Sequence, residues 1–270
     1  MWMTSEVTRN FQNQYAITNK FADYKGKTID IELFNTEALQ QIALISFKND
    51  KKEVTRQAVM TQRYDFIESE MLTYIPYCVA TNPKRVLICG TLNAAIANHF
   101  AQHDMSVDMV VGDMEALYTL SGFIPKFKEI QENVNIAFYE RFMDIKQAGY
   151  DIIIHASSPK LYEFEALKKM ASEKFICVFG LANCYLEPSL ALDTLAFGMN
   201  FGHVMMPFML PTLTPSFYAF LSNYAHPLAD LQLQKSDMLD NLQCYNANLH
   251  TSVFRLPTFL QHIIAPYVKN

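Results

Sequence analysis

The hydrophobic positions of this chain change period as the sequence proceeds. In residues 28–34, Ile29, Ile31 and Leu33 alternate with Thr28, Asp30 and Glu32, the two-residue period of a strand with one buried face. The stretch QQIALISF at 40–47 follows a short polar connection, so the two segments predict a hairpin. Phe66, Ile67, Met71, Leu72 and Ile75 then recur at helical spacing up to Pro76. From Pro83 onward the apolar runs become continuous. KRVLICG (84–90), VDMVVGD (107–113), NVNIAFYE (133–140), YDIIIHA (150–156) and KFICVFG (174–180) read as strands. NAAIANHFAQH (93–103) and LYEFEALKKMA (161–171) read as helices between them. Strands buried on both faces and alternating with helices mean βαβ units and a parallel sheet. The segment 203–223 adds two further strands, interrupted by Pro207, Pro211 and Pro215. The expected fold is α/β, a Rossmann-like, largely parallel, doubly wound sheet carrying a small N-terminal β-strand domain. The expected boundaries are 1–62 for the β-hairpin domain and 63–270 for the larger one.

Composition narrows the functional classes. With 270 residues, 50% of them hydrophobic and 18% charged, the chain can bury a substantial core. A net charge of −5, with no basic run longer than Lys51-Lys52 or Lys168-Lys169, argues against nucleic acid as a partner. Cys78, Cys89, Cys177, Cys184 and Cys244 are scattered, without a C-x-x-C pair, as expected in a reducing cytoplasm. The opening MWMTSEVTRN has no apolar signal core, and no segment reaches the roughly 18–20 apolar residues of a membrane span. A cytoplasmic protein with no membrane partner is the expectation.

The candidate chemistry lies where strands end, because ligands of open α/β sheets bind at the carboxyl ends of strands. The first such turn, CGTLNAA at 89–95, holds Gly90 alone and lacks the three glycines of a dinucleotide fingerprint. Asp113, after the second strand, has two readings: a ligand for a ribose diol, or the N-cap of the following helix. His155, in YDIIIHASSP, also has two. A neutral imidazole there could take a proton from an incoming amine, or it could cap the strand end. Ser157 and Ser158 read as turn formers. Glu68 and Glu70 are two apart on one helix and therefore lie on different faces, so only one of them is expected to meet a pocket. No His, Cys or Asp set has metal-ligand spacing, and no metal is expected.

Several motifs together resemble the polyamine aminopropyltransferases, the spermidine synthase family, along nearly the full chain. Trp2 and Glu6 resemble that family's opening, and residues 28–47 its β-hairpin module. MTQRYDFIESEML (60–72) is similar to the family's L-T-E-R-D-E-F-x-Y-H-E-M-L, and NPKRVLICG to its N-P-K-x-V-L-x-I-G. The most specific match is CYNANLHTSVFRLPTFL (244–260), through Tyr245, Asn246, His250, Phe254, Leu256 and Pro257, and it is expected to be structural.

The resemblance implies the sheet of the S-adenosylmethionine-dependent methyltransferases and a homodimer or larger homo-oligomer, for which the apolar, proline-punctuated C-terminal third could provide the interface. It implies transfer of an aminopropyl group from decarboxylated S-adenosylmethionine, as co-substrate, to the diamine putrescine, with no prosthetic group. By position, His155 stands where the family has its catalytic aspartate and Ser158 where it has a second one. Glu68 replaces a tyrosine, while Glu70 keeps the family's glutamate. Asn93 falls on the aspartate that grips the aminopropyl ammonium. Gly112 takes the place of the ribose acid, with Asp113 beside it. Glu140 and Arg141 replace the pair that meets adenine. Gln57 is nearest to a glutamine that contacts the nucleoside, and the late P-T-Y-P-S-G falls on Pro207–Pro211. The assigned roles are therefore His155 and Glu68 for catalysis, Glu70, Ser158 and Gln57 for the substrate, and Gly90, Asn93, Asp113, Glu140 and Arg141 for the co-substrate. Because so many of these positions are substituted, two readings stand: a divergent aminopropyltransferase, or a family member retired to binding. A methyltransferase using intact S-adenosylmethionine is the third.

Overall fold

A computed structural model describes residues 1–269. The chain opens with β1 (Trp2–Thr8) and β2 (Phe11–Ala16), paired antiparallel as a separate two-stranded sheet. Next come β3 (Asn19–Lys25), β4 (Ile29–Asn35), β5 (Gln41–Lys48) and β6 (Val54–Thr61), a four-stranded antiparallel sheet in chain order. Its centre is the predicted hairpin, with Ile31 opposite Ile45 and Leu33 opposite Ala43. These inward positions are buried, as the alternation of period two requires.

The helix α1 (Phe66–Tyr77) leads into the larger sheet. That part runs through β7 (Arg85–Cys89), α2 (Ala95–Ala101), β8 (Ser106–Val110), α3 (Met114–Thr119), α4 (Phe127–Glu132) and β9 (Ile136–Tyr139). It continues with β10 (Tyr150–His155), α5 (Leu161–Met170), β11 (Ala171–Leu181), α6 (Pro188–Gly198), β12 (Val204–Leu210) and β13 (Ser216–Ser222). Three short helices close the described chain: α7 (Leu233–Asp237), α8 (Ala247–Val253) and α9 (Thr258–Ile264). The strand order is β12-β13-β11-β10-β7-β8-β9, with β7 to β11 parallel and β12 and β13 antiparallel to their neighbours. Chain order reverses between β7 and β10, which creates the switch point of a doubly wound sheet. Pro207 sits in β12, the edge strand, where a missing N–H costs no ladder bond.

The continuous apolar runs are explained by burial on both faces. Val86, Ile88, Ile152, Ile154, Ile176 and Val178 enter the core that contains α1 and α2. Leu87, Ile153, Cys177 and Phe179 enter the opposite core, which α5 and α6 cover.

The C-terminal motif is a brace. The Asn246 side chain caps α8 by accepting from Leu249 N at 2.8 Å. Tyr245 and His250 are hydrogen-bonded at 2.9 Å, and the other ring nitrogen of His250 donates to Pro227 O at 2.9 Å. Burial pushes the His250 pKa down to about 4. The brace also takes Glu70, which the sequence assigned to substrate. The Glu70 carboxylate is buried and accepts from the backbone N–H groups of Gln243 (2.9 Å), Cys244 (2.7 Å) and Tyr245 (2.9 Å). Its lone pairs are filled by the segment it anchors, and it does not line the cavity described below.

Candidate active site

A cavity of about 830 Å³ opens at the carboxyl ends of β7, β10 and β11, beside the switch point. Residues 90–93, 156–158 and 180–183 form its floor, while parts of β1, β6, α1 and residues 212–218 form the walls. Two glycines let the floor loops meet. A Cβ on Gly90, whose φ is +77°, would lie 2.7 Å from Ser157 Oγ. One on Gly180 would lie 2.9 Å from Ala156 O. Either clash would push the strand-end loops apart.

The deepest charges come from α1 and β6. Asp65 and Glu68 are three residues apart, so one face of the helix start presents both carboxylates to the cavity. Both are half-buried by surface area, because the surface they show is cavity wall. The Tyr218 hydroxyl on β13 donates to Glu68 Oε1. Burial raises the Glu68 pKa, while the Tyr218 hydrogen bond and the Arg56 charge oppose that rise. Arg56 lies 3.9 Å above the Phe47 ring and donates to Gly90 O at 3.3 Å. Asp65 has weaker support, from the Asn93 amide alone. Its Oδ2 is shielded and has no hydrogen-bond partner, and burial with the nearby Glu68 charge drives its pKa well above the usual carboxylate range. The Asn93 amide beside it exerts the opposite, smaller pull. Asn93 Oδ1 accepts from Ala95 N at 3.1 Å, which leaves its Nδ2 donor shielded and unpartnered.

The other residues singled out by sequence are distributed unevenly. Gly90, Asn93, Gln57 and Ser158 line the cavity. Gln57 is already engaged, accepting from Glu6 N at 2.7 Å and donating to Ser46 Oγ at 3.1 Å. The Ser158 hydroxyl pairs with Thr194 Oγ1 on α6 at 2.8 Å. Asp113 follows the N-cap reading: its Oδ1 accepts from Ala116 N at 3.0 Å and from the Tyr24 hydroxyl at 3.0 Å. Glu140 accepts from Met114 N at 3.4 Å, and Arg141 pairs with Asp144 at 2.7 Å. Asp113, Glu140 and Arg141 lie outside the cavity lining. The late cavity segment is 212–218, around Leu213, rather than Pro207–Pro211, which largely belongs to β12.

His155 requires the main correction. Two residues beyond Ile153, it faces the α5 side of the sheet and is buried there, outside the cavity lining. Nδ1 donates to Ser157 O at 2.8 Å, and burial lowers the imidazole pKa. It holds the loop and does not itself line the cavity. Replacing it by Asn, which keeps an amide donor, is expected to leave the pH profile of kcat unchanged; a lost limb in that profile would restore His155 as the base.

Asp65, Arg56 and Tyr218 were not read as site residues from the sequence. The three-residue spacing of Asp65 and Glu68 was the available signal for the first of them.

Strand order and the switch-point cleft define a doubly wound α/β protein whose cavity presents paired acids. Residues 65–235 match the spermine/spermidine synthase domain, and the chain belongs to that family. It is 26% identical over 272 residues to the polyamine aminopropyltransferase of Helicobacter pylori strain G27, with the whole of both chains covered. The enzyme of that name from Lachnoclostridium phytofermentans is 22% identical, with 99% of each chain covered. Among solved structures, a spermidine synthase bound to the transition-state analogue AdoDATO superposes with a TM-score of 0.85 at 15% identity, covering 98% of this chain and 95% of that one. Spermidine synthase from Thermotoga maritima gives 0.83 at 15% identity, covering 98% of this chain and 94% of that one. Both share the fold.

Proposed function

We propose that this protein is an active polyamine aminopropyltransferase that moves the aminopropyl group of decarboxylated S-adenosylmethionine to putrescine, giving spermidine and methylthioadenosine. One observation carries this reading: two carboxylates, Asp65 and Glu68, face a single cavity at the switch point of the sheet. Both substrates are cations, and carboxylates in a cavity shielded from bulk water attract them more strongly than surface acids do. The amine nitrogen attacks the carbon next to the sulfonium, the C–N bond forms, and the C–S electron pair returns to sulfur. A sulfonium leaving group is already activated, so much of the rate enhancement can come from holding nitrogen and carbon in line.

Glu68 is the acid assigned to the far ammonium of the diamine, steadied by Tyr218 and balanced by Arg56. Gly90 and the loop 156–158 leave room for the aminopropyl chain. At the nucleoside end, a ribose hydroxyl would replace the Tyr24 hydroxyl on Asp113, with Glu140 and Arg141 at the next strand end. Residues 1–62 are read as the module that walls the amine side, and 63–270 as the catalytic domain.

The five cysteines are unpaired, in keeping with a cytoplasmic enzyme. No helix among the described residues is long and apolar enough to cross a membrane. Leu233, Met238 and Phe259 expose apolar surface in the C-terminal third, consistent with a homodimer or larger homo-oligomer. Among the described residues, no three His, Cys, Asp or Glu side chains cluster as metal ligands.

The test is product detection by mass spectrometry, from folded protein with decarboxylated S-adenosylmethionine and putrescine, with cadaverine as a second acceptor. Spermidine and methylthioadenosine are expected in equal amounts. Neither product from protein that melts cooperatively would overturn the assignment in favour of a binding role.

A further inference from the structure

We propose that Asp65 is a catalytic residue of this protein, the carboxylate that receives the attacking ammonium and takes its proton. The inference rests on the aminopropyl-transfer reading above and adds the identity of the base, which neither the sequence motifs nor His155 supplies.

The cavity is lined by four carboxylate side chains, those of Glu6, Asp65, Glu68 and Glu187. Glu6 is exposed on β1, and Glu187 is half-buried just before α6. Glu68 is committed to Tyr218 and faces the Arg56 charge. Asp65 combines depth with a carboxylate whose one neighbouring side-chain donor is the Asn93 amide, and no positive charge pairs with it. A buried carboxylate with so little hydrogen bonding is costly, and an N–H group arriving from the cavity that Asp65 lines would add the charge-assisted partner it lacks. Asn93 cannot fill that role for a substrate cation, because its oxygen is used by Ala95 N and only its donor is bare. A cation seated on Asp65 would find no competing positive charge directly upon that carboxylate, since Arg56 reaches the Gly90 carbonyl instead.

The step balances without any further reagent. The ammonium gives one proton to Asp65, which becomes a neutral carboxylic acid, and the freed lone pair attacks the aminopropyl carbon. The C–S bond breaks with its electron pair on sulfur, leaving a neutral thioether and a secondary ammonium. The Asp65 proton passes to water as the products leave. A carboxylate suits this task only when its basicity approaches that of the working pH. Burial and the Glu68 charge push Asp65 in that direction. The pair follows a general pattern: neighbouring acids whose surroundings separate their affinities for a proton take different roles. The groups that set the Asp65 proton are Glu68 on its own helix, Asn93 after β7, and, through Glu68, Arg56 of β6 and Tyr218 of β13.

The experiment compares wild type with Asp65→Asn and Asp65→Glu, using decarboxylated S-adenosylmethionine and putrescine across pH 6–9. Asp65→Asn is expected to lower kcat by roughly 10²–10⁴-fold, the usual range for removing a general base. It is also expected to abolish the rise of kcat with pH. Binding of methylthioadenosine, measured by calorimetry, should stay at the wild-type level and report a folded nucleoside site. Asp65→Glu should recover part of kcat together with the pH-dependent limb. An Asp65→Asn enzyme with wild-type kcat and pH profile would overturn the role of Asp65 while leaving aminopropyl transfer intact. Loss of kcat with a retained pH limb would also overturn it, in favour of a structural role. A wild type that forms no methylthioadenosine from these substrates would instead sink the reading underneath, and the base assignment with it.

Discussion

Replacing Glu68 by Gln is expected to raise the KM for putrescine by roughly 10–150-fold, the equivalent of about 1.5–3 kcal/mol for a lost hydrogen bond to a charged group. The substitution keeps the shape of the side chain and an oxygen for the Tyr218 hydroxyl, but removes the charge it presents to the cavity. The effect should fall mainly on KM, because a far ammonium is bound equally in the ground and transition states. There is a matching pH signature. Burial raises the Glu68 pKa, so protons neutralise this carboxylate at a higher pH than they would an exposed one. Putrescine affinity of the wild type should therefore weaken as pH falls toward that raised value, and the Gln variant should lose this dependence. Steady-state kinetics from pH 5 to 8 would show it. An unchanged KM in the variant would mean that Glu68 serves only to balance Arg56 across the cavity wall.

The second large effect concerns stability rather than catalysis. Glu70→Ala is expected to cost roughly 3–6 kcal/mol, because three backbone N–H groups, of Gln243, Cys244 and Tyr245, lose their acceptor together. At roughly 2–4 °C per kcal/mol, the melting temperature should fall by about 6–24 °C. The reason for the size is the placement of Glu70. It joins α1, which begins at the cavity, to the segment that carries the Tyr245–His250 brace. Below its melting temperature the variant should still bind putrescine with a near-normal KM, since Glu70 does not line the cavity. A normal melting temperature with a raised KM would return Glu70 to the substrate site.

The two glutamates show how far one helix read in isolation can be taken. Two residues apart, they must point in different directions, and that much is local geometry. Which one lines the cavity depends on Tyr218, 150 positions from Glu68, and on the backbone of residues 243–245, more than 170 positions from Glu70. His155 follows the same logic in a strand. Its position at a strand end was legible, but the face it takes is fixed by the register of β10 against β7 and β11. The β10 register turns His155 toward α5, away from the cleft.

The sequence by itself determined the parallel strands, a hairpin across 28–47 and the family, because hydrophobic period and short motifs are properties of neighbouring residues. It also marked the strand ends where a ligand belongs, since that rule follows from chain direction alone. The tertiary structure decided which acids are free. Asp65, Glu68, Glu70 and Asp113 are chemically alike in a linear chain. Folding leaves Asp65 without a hydrogen-bond partner on Oδ2, pairs Glu68 with Tyr218, ties Glu70 into the C-terminal brace and makes Asp113 a helix cap. Reactivity depends on desolvation and hydrogen-bond partners, and those are contributed by segments that meet only when the sheet has closed around the cleft.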